Sequence, residues 1–117
     1  MNTLRDRSKA FAIRVIRVCA TLPRNDAAGV IRMQLLRSGT SPGAHCREAF
    51  RSRSDAEMIS KIETALQELD ESLYWMELLI EGEIVPAARL QPLMQEADEL
   101  IAMGVASVRT IKRRRKN

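Results

Sequence analysis

Apolar residues recur three and four positions apart along most of the chain, the spacing that places them on one face of an α-helix. Short segments rich in Pro, Gly, Asn or Ser divide this pattern into four stretches. With short connections and no candidate strand, it predicts an all-α fold, an antiparallel up-down-up-down four-helix bundle. The predicted helices run from Leu4 or Ser8 to Thr21, from Asn25 or Asp26 to Phe50, from Ser54 to about Gly82, and from Pro86 or Leu90 to about Val108.

The second helix contains an interruption at Ser38-Gly39-Thr40-Ser41-Pro42-Gly43. Proline lacks a backbone donor and clashes with the preceding turn, and glycine loosens a helix. Two alternatives follow: a long helix kinked near Pro42, or a helix that ends and restarts with Ser41 as its cap. The helical period of apolar residues continues to Phe50, which favours the kinked helix.

The chain is short enough, at 117 residues, to form one domain over 1–117, with a basic C-terminal tail at 109–117. Cys19 and Cys46 have no paired spacing and are expected to be small core residues in a reducing compartment. The N-terminus lacks the apolar run of a signal peptide, and no stretch approaches the length of a membrane span. We therefore expect a cytoplasmic protein that does not contact membranes.

Charge is strongly segregated along the sequence. Residues 1–53 contain eleven Lys/Arg and three Asp/Glu, whereas residues 54–108 contain two and twelve. The last nine residues add six cations and no acid. Clustered positive charge is what phosphate binding requires. The candidate nucleic-acid-binding residues are Arg14, Arg17, Arg109, Lys112, Arg113, Arg114, Arg115 and Lys116.

The segment 34–81 resembles the ribosomal-RNA intervening-sequence proteins, a four-helix-bundle family. That family has an arginine, a turn rich in small residues, Gly-Ala-Asn, Glu-Ala and a serine-capped helix carrying Tyr-Trp-Leu. Three positions depart from it: Pro42 replaces an aliphatic residue, His45 replaces Asn, and Gln67 replaces Lys. The matching residues are Gln34, Leu35, Arg37, Ser38, Gly39, Ser41, Gly43, Ala44, Glu48, Ala49, Ser54, Glu68, Glu71, Tyr74 and Trp75.

The resemblance implies a ring-like homo-oligomer, commonly a pentamer. Relatives include accessory proteins of diversity-generating retroelements, which bind a reverse transcriptase and nucleic acid. Tyr74 and Trp75 are adjacent on the third helix, so at most one faces the core and the other is expected at a subunit interface.

Several polar residues of the resembling segment are expected to form a network near the middle of the bundle, because buried carboxylates persist only when paired. A binding pocket is the alternative. The residues concerned are Arg37, His45, Arg47, Glu48, Glu68 and Glu71.

Catalytic chemistry is not expected. A di-iron bundle needs two Glu-x-x-His motifs, and His45 is the single histidine of the chain. The spacing between Arg37 and His45 also exceeds the Arg-x(4–6)-His spacing of one class of helical RNA-cleaving proteins. We predict no catalytic residue, no metal site and no cofactor. The favoured function is a non-enzymatic, homo-oligomeric adaptor that binds RNA or DNA and acts as an accessory protein to a reverse transcriptase or another nucleic-acid enzyme. The alternative is a purely structural protein–protein module.

Overall fold

The computed structural model describes residues 3–115. Four helices account for nearly all of this range, and no strand occurs within it, so the predicted all-α fold class is confirmed. The helices are α1 (Leu4–Ala20), α2 (Asp26–Phe50), α3 (Asp55–Glu81) and α4 (Ala87–Arg115).

Side-chain caps fix three of the helix starts. The Thr3 hydroxyl accepts from the Asp6 amide at 3.1 Å, and the Ser54 hydroxyl accepts from the Glu57 amide at 3.1 Å. At the start of α2, the Asn25 side chain accepts from the Ala28 amide at 2.9 Å. These bonds satisfy amides that have no partner inside the helix. Of the two predicted starts of α2, Asn25 and Asp26, Asn25 is the cap and Asp26 is the first helical residue.

Helix α2 runs through Pro42 without a break. The alternative of a helix that ends and restarts at Ser41 is therefore wrong, while the kink stays a prediction. Pro42 is buried, and the glycines beside it lie against α1. A β-carbon at Gly39 would lie 2.8 Å from both methyl groups of Val15, so glycine here permits close packing of the two helices.

The helices form a closed cycle in which α1 contacts α2 and α4, and α3 contacts the same two neighbours. Across the α1–α2 interface, Ser8 lies near Gly43 and Val15 lies near Gly39, so these two helices run in opposite directions. The resulting bundle measures 52 × 23 × 21 Å. Its largest fully buried side chains include Phe11, Val15, Leu35, Ile62, Leu69, Met76, Leu79, Leu90 and Leu100.

The C-terminal segment differs from the separate tail that the sequence suggested. Residues 109–115 are the last two turns of α4, and Ile111 within them is buried. Arg114 also donates to Asp55 of α3 at 2.8 Å. Lys116, one of the predicted cations, lies outside the described residues. None of the helices in the described range is long and apolar enough to cross a membrane.

Candidate nucleic-acid interface

A basic groove lies along the outer surface where α1 crosses α2. It has a volume of about 560 Å³, and we call it the α1–α2 groove. Its residues are Arg5, Asp6, Lys9 and Ala12 of α1, with Thr40, Gly43, Ala44 and Arg47 of α2 and Arg51 at its end.

Four cations line this groove in two facing pairs. Arg5 and Lys9 are four residues apart on α1, and Arg47 and Arg51 are four residues apart at the end of α2. At 1.5 Å per residue, the members of each pair lie about 6 Å apart along the helix axis. All four residues are exposed. Since the helices run in opposite directions, both pairs come to the same end of the groove.

These cations keep their charge available for a ligand. Within residues 3–115, none of the four forms a salt bridge with a carboxylate, although Asp6 also lines the groove. A hydrogen bond with the Thr3 side chain lowers the pKa of Asp6, so that carboxyl is ionised at neutral pH. Four positive charges against one negative charge give the groove a net positive charge, which favours anions over cations.

This groove was not predictable from the sequence because its residues are far apart in the chain. Arg5 and Lys9 are separated from Arg47 and Arg51 by about forty positions, and only antiparallel packing of α1 on α2 brings them together. The available indication was the repeated four-residue spacing, which places each pair on one helix face.

The predicted cations of α1 do not belong to the groove. Arg17 is exposed and Arg14 is half-buried. Arg14 follows Arg7 by two helical turns, and Arg7 contacts α4, so Arg14 lies on the α4 side of α1. Arg14 and Arg17 therefore stay predicted nucleic-acid-binding residues of α1 that lie outside this groove.

The basic end of α4 forms a second cationic surface, and acidic residues of α3 partly neutralise it. Arg114 lies 2.8 Å from Asp55, and Lys112 lies 4.0 Å from Glu63. The other predicted cations of this end, Arg109, Arg113 and Arg115, are exposed. Both cationic surfaces occupy one end of the bundle, because Arg51 and Arg114 each lie beside the α2–α3 connection.

The six residues expected to form one polar network are divided among separate pairs. His45 Nδ1 lies 2.8 Å from Glu68 Oε1, so the imidazole can donate to the carboxylate. Arg37 pairs with Glu71, which also accepts from the indole of Trp75 at 3.1 Å. Arg37 and Glu48 are about half exposed, whereas His45 and Glu68 are mostly buried, and no contact joins the pairs into one central network.

Glu48 and Arg47, the other two residues of the predicted network, lie in different surroundings. Glu48 accepts from Lys61 at 2.7 Å, and this contact lowers the pKa of Glu48 and raises that of Lys61. Arg47 faces the α1–α2 groove instead. The buried polar contact between α2 and α3 is one that sequence analysis did not identify: the hydroxyl of Ser72 donates to that of Ser38 at 2.9 Å.

Tyr74 and Trp75 occupy different environments, although they are adjacent. Tyr74 is 53% exposed, whereas Trp75 is partly buried against the core. Their rings meet edge to face with centroids 5.1 Å apart. Tyr74 is thus the member of the pair that a second molecule could contact.

The cysteines have the properties of core residues. Cys19 and Cys46 are both buried as free thiols. Burial raises the pKa of Cys19 to about 11 and raises that of Cys46 as well. A thiol is nucleophilic only as the thiolate, so neither side chain is activated. In the described part of the chain, no group of three or more His, Cys, Asp or Glu residues could hold a metal ion.

The chain matches a known protein family and is similar to a solved structure. Residues 2–106 match the family model described as 23S rRNA-intervening sequence protein. A crystal structure of a protein with unknown function from the S23 ribosomal protein family of Bacteroides thetaiotaomicron is similar, with 33% identity and a TM-score of 0.86. The match covers 91% of this chain and 98% of that one. No curated protein matches the chain.

Proposed function

Because the chain belongs to the 23S rRNA-intervening sequence protein family, we propose that it is a non-enzymatic, homo-oligomeric adaptor that binds nucleic acid. The observation that carries this proposal is the α1–α2 groove, with four exposed cations and a single carboxylate. Phosphate backbones are bound through such clusters of Lys and Arg, largely without regard to base sequence.

The shape of the groove supports binding of a chain rather than of a single small anion. Its cations are arranged along two helices and not around one point, so they can contact successive phosphates. The basic end of α4 lies at the same end of the bundle and can extend the contact. Repetition of both surfaces in an oligomer would strengthen binding further through multivalency.

Self-association is the second part of the proposal. Exposed large apolar residues are the surfaces that oligomers cover, and Tyr74 is the exposed aromatic of α3. A ring such as a pentamer is what the family resemblance suggests. A nucleic-acid enzyme, such as a reverse transcriptase, is the protein partner that we propose for this adaptor.

Binding of the wild-type protein to labelled RNA and DNA tests the proposal. We expect affinity to fall steeply as salt rises from about 50 to 200 mM, because bound phosphates release counterions. If all four groove cations contact a single strand, the slope of log affinity against log salt is about −3. Light scattering on the protein alone should give a mass of at least twice 13.2 kDa.

The control is a double variant at the end of the bundle opposite to the groove. Arg24 precedes α2 and Arg89 lies in the first turn of α4, and both are exposed and distant from the groove. Replacing both with Ala should leave the salt slope unchanged. Absence of affinity at low salt, or affinity that salt does not reduce, would contradict nucleic-acid binding.

A purely structural protein–protein module is the competing function. It is favoured by exposed apolar residues on α1 and α2, such as Ile16 and Met33. Deleting residues 109–117 cannot separate the two functions cleanly, because the deletion removes the buried Ile111. Charge substitutions that leave the core intact, such as Arg47→Ala with Arg51→Ala in the groove, are the suitable variants. Partner binding unaffected by them, together with no affinity for nucleic acid, would favour the module.

A further inference from the structure

Phe50 is an exposed aromatic side chain at the end of the basic groove. It is the last residue of α2 and is 47% exposed, although phenylalanine is among the residues most often buried. The guanidinium of Arg5 lies over its ring, 5.9 Å from the centroid. The side chain is therefore held beside one of the groove cations and not turned away from them.

Phe50 also lines an apolar pocket. We call it the end pocket; its volume is about 300 Å³, within the size range of small-ligand sites. Helix α3 supplies Met58 and Ile62. The remaining residues belong to α4: Ala106, Ser107, Thr110 and Ile111.

The end pocket exists because α1 is the shortest of the four helices. Arg7, near the start of α1, contacts Met103 of α4, so the last turns of α4 extend beyond α1. Over this length the bundle consists of α3, α4 and the end of α2. An apolar surface that α1 would cover in a bundle of equal helices is left open.

The α1–α2 groove and the end pocket are neighbours on the surface. Arg5 and Arg51 line the groove, Phe50 lines the end pocket, and the contact between Arg5 and Phe50 joins the two. A ligand crossing this boundary meets cations on one side and an aromatic ring above an apolar pocket on the other. Single-stranded nucleic acid has this combination, with charged phosphates and unpaired bases on the same chain.

We propose that the protein binds single-stranded nucleic acid, with backbone phosphates in the α1–α2 groove and one base stacked on Phe50 at the end pocket. This inference rests on the proposed nucleic-acid binding and specifies its ligand. Arg5, whose guanidinium lies over the ring of Phe50, is placed to attract the phosphate next to that base. A duplex cannot make the stacking contact unless a base leaves its pair.

Substitution of Phe50 tests the stacking contact directly. Phe50→Leu keeps an apolar side chain beside Met58 but removes the aromatic face, and Phe50→Tyr retains that face. We expect Phe50→Leu to weaken binding to a single strand by about tenfold or more. Phe50→Tyr should bind as the wild type does. The salt slope should be the same for both variants, since neither removes a cation.

The nucleic-acid probes distinguish stacking from backbone attraction. Fluorescence anisotropy is measured with a labelled single strand, its duplex, and a strand of equal length with abasic sites. We expect Phe50→Leu to weaken binding to the intact single strand while leaving the abasic strand and the duplex unaffected. Thermal unfolding, followed by circular dichroism, verifies that each variant is folded at the temperature of measurement.

Two results would overturn the inference while leaving nucleic-acid binding intact. One is wild-type affinity of Phe50→Leu for the intact single strand. The other is an equal loss of affinity for all three probes. A change in oligomer mass with single-strand affinity unchanged would likewise contradict it and assign Phe50 to a contact between copies. Absence of salt-dependent binding by the wild-type protein, in contrast, would overturn both proposals.

Discussion

Gly29 and Gly39 lie in the same helix but have different surroundings. A β-carbon at Gly39 would lie 2.8 Å from both methyls and 3.1 Å from the β-carbon of Val15. Valine is stiff about its first side-chain torsion and cannot swing away. At Gly29 the nearest atom to such a carbon is the end of the Arg32 side chain at 3.9 Å.

The two alanine substitutions should therefore have opposite effects on the free energy of unfolding. Gly39→Ala should destabilise the protein by about 1–2 kcal/mol, because overpacking outweighs the better helix propensity of alanine. Gly29→Ala should stabilise it by about 0.5–1 kcal/mol. Urea denaturation measures both values. A stabilising Gly39→Ala would contradict the close packing of α1 on α2.

Residue-scale features were only partly predictable from sequence. The caps at Asn25 and Ser54 could be recognised because capping acts between residues near in sequence. The glycines beside Pro42 were interpreted as sites that loosen α2, but Gly39 is buried against Val15. That role depends on a neighbouring helix, which local sequence does not identify.

The α1–α4 interface contains the most extensively bonded ion pair of the bundle described here. Arg7 donates to both oxygens of Glu96, at 3.0 and 2.6 Å, and to Glu99 at 3.0 Å. The side chains of Arg7 and Glu96 are only 25% and 18% exposed. These contacts raise the pKa of the Arg7 guanidinium above its ordinary value. Removal of Arg7 would leave a half-buried carboxylate without its partner.

We expect Arg7→Ala to lower the free energy of unfolding by about 2 kcal/mol, below the range for fully buried pairs because water still reaches this one. Lys61→Ala is the matched control, since Lys61 bonds to the exposed Glu48. Its cost should be at most about 1 kcal/mol. Denaturant unfolding of the two variants gives the comparison. Equal costs would show that Arg7 contributes no more than a surface pair.

At the scale of elements, apolar periodicity predicted four helices and their approximate limits. It did not predict the end of α4, because a run of arginines and lysines contains too few apolar residues to establish a period. Ile111 is the single apolar residue among 109–115, and its burial keeps that segment on the bundle. The same lack of pattern concealed the end pocket, which depends on the unequal lengths of α1 and α4.

Across the whole molecule, cations that are far apart in the sequence come together in space. The starts of α1 and α3 and the ends of α2 and α4 meet at one end of the 52 Å bundle, which carries the α1–α2 groove and the basic end of α4. Sequence composition predicted a basic protein surface. It could not predict which cations form salt bridges with acidic residues, since that depends on how the helices pack. Lys112 and Arg114 of α4 pair with acids of α3, whereas the cations of the α1–α2 groove do not form salt bridges in the described structure.

The most direct measurement compares two double variants for binding to a single-stranded oligonucleotide over a range of salt concentrations. Arg47→Ala with Arg51→Ala removes two groove cations, and Arg113→Ala with Arg115→Ala removes two from the end of α4. The groove variant is predicted to reduce the salt slope by about 1.4, as two phosphate contacts are lost. The α4 variant is predicted to change it by less than half as much. A larger loss in the α4 variant, or an unchanged slope in the groove variant, would contradict the assignment of the α1–α2 groove as the nucleic-acid site.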